Sequence, residues 1–451
     1  MKTIVMKFGG SSIADASSID RVARIVRAHL DRRPVVVVSA MGKTTRKLLQ
    51  AAQLASENRT KETLRLIAEL EDYHLTEARA AIPGFQDLLV HSTVQGYFEE
   101  MRDLVRGIAI LREFSPRSQD AMAAYGELIS SAILAAALKV RNVEAILLDS
   151  RSLLITDDNF TRASPIPGET EEKVRAAVLS ELASERVPVL QGFIGSTRDG
   201  ATTTLGFEGS DYSAAIFGAA LGAEDIQIWK DVSGLMTADP VMVPEARTVE
   251  AASFEEMAEL TYFGAKLLHP SAIWPAARQG IPVHIFNSLQ PEAAGTVIYG
   301  EGSSAACQAK SVAYKRGLSL LHLTSSRSQS ASEFLKSVFD LIDRHQVPPN
   351  LAVVSNVSVA LAFGNDKKIG LLAEELRRLG EVKVCSERAS LCLVGQGIRE
   401  IPETSAKLLS SVPHFKFDLI TEGASPNSIV LVIHEKDLEK ALLQVHKAFF
   451  S

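Results

Sequence analysis

The chain has 451 residues, 46% of them hydrophobic and 23% charged, which at roughly 150 residues per domain implies two to four domains with real cores and excludes a disordered or fibrous protein. Lys and Arg total 48 against 54 Asp and Glu, a net charge of -6 with no long basic run. That lacks the electrostatic footprint of nucleic-acid binding, so a small-molecule partner is expected. The longest apolar runs, such as residues 35–38 and 187–190, fall far short of the roughly 20 residues of a membrane span, and the opening MKTIVMKFGG is too short to be a signal peptide. Three cysteines, Cys307, Cys385 and Cys392, form no C-x-x-C pair, so neither a disulfide framework nor a zinc ribbon is indicated. A cytoplasmic protein with reduced thiols, bound to neither nucleic acid nor membrane, is expected.

In chain order, short β-branched runs at residues 3–6, 35–38, 145–148, 187–194, 225–229 and 281–286 read as buried strands. Amphipathic helices are expected between them at 17–30, 60–81, 122–138 and 170–185. Such alternation gives an α/β class: a mainly parallel sheet sandwiched by helices. Residues 301–306 are small and polar, and the rhythm changes beyond them. A β-α-β-β-α-β series follows, with strands at 318–323, 351–354, 358–363 and 382–385 and helices at 332–345 and 367–379. A near repeat has strands at 391–394, 415–420 and 429–433 and helices at 403–409 and 436–449. The repeat lacks a final strand, which residues 308–314 would supply, interlocking the two.

Lys7-Phe8-Gly9-Gly10-Ser11-Ser12 follows a strand and precedes a helix, so backbone N–H groups and a helix N-terminus could approach a phosphate there, with Lys7 adding charge. An ordinary glycine turn has the same composition. Gly42-Lys43-Thr44 resembles the tail of a P-loop, but the glycine required five residues earlier is Val37, so a Walker site is rejected. Gly395-Gln396-Gly397 lacks the third Rossmann glycine, which is Glu400, and reads as a plain turn.

Residues 202–211, TTTLGFEGSD, run into an apolar helix near Tyr212, and hydroxyls, glycines and a Ser-Asp pair at a helix start suit either anion binding or simple capping. Lys230-Asp231 ends a strand, where open α/β sheets form their ligand crevice, and Lys266 lies beside Gly264. Each lysine alone fits a solvated surface charge. Together at strand ends and glycine turns, they are the arrangement expected of phosphoryl transfer without a Walker loop. The histidines show no H-E-x-x-H spacing, and His269 is as well explained by packing, so no catalytic metal cage is expected. No G-x-S-x-G elbow supports Ser-His-Asp chemistry.

Taken together these motifs resemble the aspartokinases, members of the amino-acid kinase superfamily. The matching segments are KFGGSS from Lys7, SAMGKTT from Ser39, GELIS from Gly126, QGFIGS from Gln191, TTTLGFEGSDYSA from Thr202, KDVSGLMTADP from Lys230 and YFGAKLLHP from Tyr262. The resemblance implies an amino-acid kinase catalytic domain over residues 1–298. It also implies two α+β, ferredoxin-like ACT regulatory domains over 299–451, at about 315–386 and 387–451 plus the strand from about 308–314. No homoserine dehydrogenase is expected to follow. The implied reaction moves the γ-phosphoryl group of ATP, with Mg²⁺ bound through the ATP, to the β-carboxylate of L-aspartate, giving 4-phospho-L-aspartate for lysine, threonine and methionine synthesis.

By the same resemblance, Lys7 stabilises charge on the transferring group, Gly9 and Gly10 give it backbone donors, Phe8 belongs with the ATP-binding residues, and Asp211 orients Lys7 and its neighbours. Thr45, Glu127 and Ser210 match aspartate-binding positions, with Glu127 suited to the α-ammonium. Lys230, Asp231, Met236, Lys266 and Leu267 match positions around the nucleotide. A homodimer through the ACT domains is implied, with lysine as effector at Ser325, Asn350, Ser355 and Asn356.

Departures from the family pattern are informative. Where the family commonly reads G-R-G-G-S-D, this chain has Phe207 and Glu208 in place of the arginine and first following glycine. Losing one charge-assisted bidentate contact would remove ~1.5 to 3 kcal/mol. Arg162 is the candidate for a compensating partner, with Arg198 the second. Met236 and Val241 stand where lysine-sensitive relatives carry tyrosine and arginine. Asn350 and Asn356 align with acidic positions that oppose an ammonium, and a neutral amide hydrogen-bonds it without opposing its charge. Two alternatives stand beside the main reading: a kinase for another small acid, and a non-catalytic ACT-containing amino-acid sensor.

Overall fold

The computed structural model describes residues 3–451 except 207, 266, 269, 301–307, 326–329 and 423–424. The polar stretch read as a junction therefore lies outside the described residues. The chain forms two compact units: Met1–Leu235 with Glu250–Phe254 and Leu268–Gly302, and Met236–Val249 with Glu255–Leu267 and Ser303–Ser451.

The elements, in order, are β1 (Ile4–Phe8), α1 (Ala16–Ala28), β2 (Pro34–Val38), α2 (Thr44–Ser56), α3 (Thr60–Ala81), α4 (Leu89–Leu111), α5 (Pro116–Lys139), β3 (Ala145–Leu148), α6 (Pro167–Ala183), β4 (Val187–Gln191), β5 (Ile194–Ser196), β6 (Thr202–Thr204), α7 (Gly209–Leu221) and β7 (Asp225–Lys230). Then come β8 (Ala251–Ser253), α8 (Phe254–Tyr262), α9 (Pro270–Arg278), β9 (Val283–Asn287), β10 (Thr296–Tyr299), β11 (Ser311–Ser325), α10 (Ala331–His345), β12 (Leu351–Val354), β13 (Ser358–Phe363), α11 (Ile369–Leu376), β14 (Gly380–Val394), α12 (Pro402–Ser411), β15 (Phe417–Glu422), β16 (Ser428–His434) and α13 (Leu438–Phe450).

The first unit is built on an eight-stranded sheet ordered β3-β4-β2-β1-β7-β9-β10-β8, parallel except where β10 runs against β9. β1 and β2 are fully buried on both faces, as continuous Val/Ile runs require. Ile4, Met6 and Phe8 point into a core shared with α1 to α5. On the other face Val5 approaches α7 at Gly218, where a side chain would collide with Ile226. α5 passes the length and composition test for crossing a membrane, but most of it is buried inside the unit, as a core helix is. Its start is set by Ser115, whose hydroxyl accepts the Ser118 N–H, followed by Pro116 in the first turn.

Residues 187–194 do not form one strand. β4 stops at Gln191, the chain turns at Gly192 and at Phe193 with φ of 69°, and a small hairpin of β5 and β6 follows. The turn is forced by close packing: a Cβ on Gly192 would lie 2.7 Å from the Ser210 Cβ, so the strand leaves the sheet where α7 begins.

In the second unit six antiparallel strands are ordered β12-β13-β11-β14-β16-β15. Residues 382–385 and 391–394, expected as separate strands, are parts of the single strand β14, and β11 is likewise continuous from Ser311. The front half of β11 pairs with the end of β14 through Ser311↔Val394, the back half with its start through Ser325↔Gly380, and the register shifts between Lys315 and Leu320. α10 and α11 cover one half with Phe334, Val338, Leu372 and Leu376, and α12 and α13 the other with Leu408, Leu442 and Val445. Leu320 and Ala362 from one half and Val432 from the other meet in a small third cluster. Ala238 and Val243, from the inserted segment, are buried in the α12–α13 core.

Candidate active site

β1 lies between β2 and β7, so the chain departs on one side of it and returns on the other, and the carboxyl ends of such strands form a crevice. Lys7 is the penultimate residue of β1, and Lys230 ends β7. Both reach Asp211 in the first turn of α7. Lys7 Nζ pairs with Asp211 Oδ1, and Lys230 Nζ lies 2.9 Å from Oδ2. Lys7 is 5% exposed and Asp211 2%. Burial would raise the Asp211 pKa, but the two ammonium groups outweigh it and hold the carboxyl below its ordinary range.

The opposite wall comes from α5 and the segment after β2. Gly126 permits the approach, because a Cβ there would stand 2.7 Å from that of Ala40. Its neighbour Glu127 is buried, with Oε1 accepting the Ala40 N–H at 3.1 Å, while Oε2 has no hydrogen-bond partner among the described residues. Burial, opposed by the Ala40 hydrogen bond and the Lys7 charge, pushes its pKa up to about 8. Ser39 is held from behind by the Ser130 hydroxyl, which donates to its carbonyl at 2.7 Å. Gly42 donates its N–H to Gly10 O at 2.9 Å. Thr45, in the first turn of α2, faces the same space.

These groups line a cleft of about 310 Å³ that also includes Ser210, Phe193, Gly206 and Glu208. Its far rim is the N-terminus of α7, where backbone N–H groups and the helix dipole favour an anion. A larger cleft of about 510 Å³ lies between α2, α3 and α4 and is mostly apolar, with Arg106 and Arg112 as its charges. Its lining carries no acidic side chain and no lysine, so the chemistry belongs to the smaller one.

The structure therefore brings Lys7, Gly10, Thr45, Glu127, Ser210, Asp211 and Lys230 to one cleft. Phe8 is different: it is fully buried, with its ring stacked 6.0 Å from Trp229, and does not line the cleft. Gly9 donates its N–H to Trp229 O at 3.1 Å, so it supplies shape rather than a free donor. Asp231 is exposed beyond β7. Met236 and the buried Leu267 belong to the second unit, where Met236 O accepts the Ser311 hydroxyl at 2.8 Å. Lys266, Phe207 and His269 lie outside the described residues.

Arg162 is exposed and its stem adjoins Gly206. Arg198 instead grips Glu169, with Nε 2.9 Å from Oε1, on the surface. In the second unit Ser325 donates its N–H to Val357 O, beside the 355–358 turn that carries Ser355 and Asn356. Asn350 donates to Ala362 O at the other end of the β12–β13 hairpin, about 15 Å away at ordinary strand rise. The four effector candidates are thus three and one. Phe193 was not anticipated. Its signal is a bulky residue in left-handed backbone, which a sequence does not display.

Comparison with known proteins agrees with this architecture. Residues 2–287 match the amino acid kinase family and residues 391–449 an ACT domain. Aspartokinase 1, chloroplastic, of Arabidopsis thaliana is 33% identical over 99% of this chain and 80% of its own length. Lysine-sensitive aspartokinase 3 of Escherichia coli is 31% identical over 99% of both. The crystal structure of E. coli aspartokinase III in complex with aspartate and ADP superposes with a TM-score of 0.85, at 30% identity and covering 100% of both chains.

Proposed function

The chain belongs to the aspartokinases of the amino acid kinase family, and from that premise we propose how its cleft phosphorylates L-aspartate. A β-carboxylate with a pKa near ~4 is already ionised at neutral pH, so no general base is required. A carboxylate oxygen attacks the γ-phosphorus of ATP, the bond to the β–γ bridging oxygen breaks, and 4-phospho-L-aspartate and ADP result without net proton transfer. The difficulty is repulsion between two anions, and the cleft answers it by charge and position.

Lys7 and Lys230 face the transferring phosphoryl group, and Asp211 fixes both ammonium groups in place. Backbone donors at Gly10 and at the start of α7 add to them. Glu127 supports an ammonium because its Oε2 is buried without a hydrogen-bond partner among the described residues. Ser210 and Thr45 flank the substrate, and Arg162 is the guanidinium nearest the Gly206 turn for its α-carboxylate. Magnesium bound to ATP supplies further neutralisation of the polyphosphate. Asp211, already paired with two lysines, is not a spare ligand for a divalent ion, which fits a metal carried by the nucleotide. Asp231, just beyond β7, would add to the nucleotide contacts.

The second unit would regulate through an amino-acid effector, with lysine suggested by the lysine-sensitive relative, and assemble the chain as a homodimer. The observation that carries the catalytic reading is that the buried Lys7–Asp211 pair, joined by the half-buried Lys230, shares one cleft with the buried Glu127. Incubation with ATP, magnesium and aspartate, trapping the acyl phosphate as hydroxamate, tests it. Aspartate-dependent hydroxamate is expected; amino-acid binding without turnover would favour a sensor, and faster turnover of another acid a different kinase.

A further inference from the structure

Helix α5 carries a second buried carboxylate. Asp120 lies seven residues before Glu127, two helical turns away and on the same face, and is 1% exposed. Its Oδ2 accepts the backbone N–H groups of Thr161 at 2.9 Å and Thr204 at 3.0 Å, and its Oδ1 accepts the Thr204 hydroxyl at 2.6 Å. The carboxylate thus ties strand β6 to the loop that precedes α6. A further stitch, Ala163 N–H to Thr204 O at 2.9 Å, runs beside it.

What is held there is unusual. Thr161 has φ of 71°, a left-handed conformation that a β-branched residue adopts only where its surroundings impose it. The next residue is Arg162. Gly206, in the wall of the cleft with φ of 80°, lies so close that a Cβ would come 3.1 Å from Thr161 O and 3.5 Å from Arg162 Cγ. The backbone at Thr161 therefore decides where the Arg162 stem leaves the chain, at the edge of the cleft. Nothing in the reaction itself uses Asp120, and among the described residues no cation pairs with it. Three neutral donors are its partners, and burial raises its pKa while those bonds favour the ionised form.

We propose that Asp120 is a positioning residue for substrate recognition, holding Thr161 in its left-handed turn so that Arg162 is aimed at the α-carboxylate of the amino-acid substrate. It thereby serves in place of the arginine that the chain lacks at position 207. The inference rests on the assignment of Arg162 under the proposed function.

Asp120→Asn, Arg162→Ala and the double variant test it in the steady state. An amide has one acceptor oxygen and one donor nitrogen, so Asn cannot accept all three bonds. Arg162→Ala is expected to raise the aspartate KM by about 10- to 100-fold and leave the ATP KM unchanged. Asp120→Asn should raise the aspartate KM by roughly 10-fold with kcat and ATP KM within about twofold, and the double variant should be no worse than Arg162→Ala alone. Effects that multiply, or an Asp120→Asn enzyme with native aspartate KM beside a defective Arg162→Ala, overturn the positioning role alone. An Arg162→Ala enzyme with unchanged KM overturns the assignment of Arg162 and the inference with it. Should Asp120→Asn fail to fold, Thr204→Val removes only the hydroxyl donor. A several-fold rise in aspartate KM that vanishes in the Arg162→Ala background then supports the role, and no rise contradicts it.

Discussion

Two buried carboxylates in the same cleft are placed in opposite electrostatic states, and the difference follows from their neighbours. Asp211 has two ammonium partners and is held ionised, whereas Glu127 has one backbone donor and is pushed to about pH 8. An aspartate ammonium needs the ionised form of Glu127. Binding near pH 7 should therefore release a proton, and the apparent affinity for aspartate should weaken by up to about tenfold per pH unit below 8. Calorimetry at pH 7 in two buffers of different ionisation heat checks this; identical heats would contradict it. Stability carries the same signature. The unfolded side chain titrates near 4.5, so between about pH 4.5 and 8 the folded state keeps a proton the unfolded one has lost, and stability falls as pH rises. Glu127→Gln should remove that slope, with a Tm advantage that grows across this window and then levels, while the aspartate KM rises by about 100-fold. Lys7 and Asp211 were legible because each sits in a motif at a strand or helix end, and Glu127 because it lies in the GELIS segment of α5. Asp120 was not, since a lone acid in an apolar helix carries no sign of what will fold against it.

Between elements, close approach does the positioning. Gly126 lets α5 lie against the 39–45 segment, so Gly126→Ala should force Glu127 and Thr45 apart. A loss of about 1 to 3 kcal/mol in urea unfolding is expected, with a higher aspartate KM. Gly168→Ala is the control, because a Cβ there meets nothing within 4 Å, and it should leave both unchanged. The parallel sheet was legible in the sequence from unbroken Val/Ile runs such as β2. The β5–β6 hairpin was hidden, because the break at Gly192 and Phe193 answers to Ser210, a contact distant along the chain. β14 was misread as two strands because polar residues 386–388, with Glu387 at φ of 56°, interrupt a pattern that the backbone nevertheless carries through.

Across the whole chain there are two compact units, one built on the eight-stranded sheet that carries the cleft and one on the six-stranded sheet of paired ACT halves. If Asn356 faces an effector ammonium with an amide, replacing it by a carboxylate should strengthen the response. Asn356→Asp is expected to lower the lysine concentration for half inhibition by about 2- to 5-fold, the scale of an exposed ion pair, and an unchanged value places the effector elsewhere. The catalytic claim itself turns on one side chain. Single-turnover formation of aspartyl hydroxamate by Lys7→Met, with ATP and aspartate both saturating, is the direct measurement. The chemistry should slow by about 100-fold or more, the scale of losing one charge-stabilising donor, with ATP still bound. A Lys7→Met enzyme that turns over at the native rate would contradict the account.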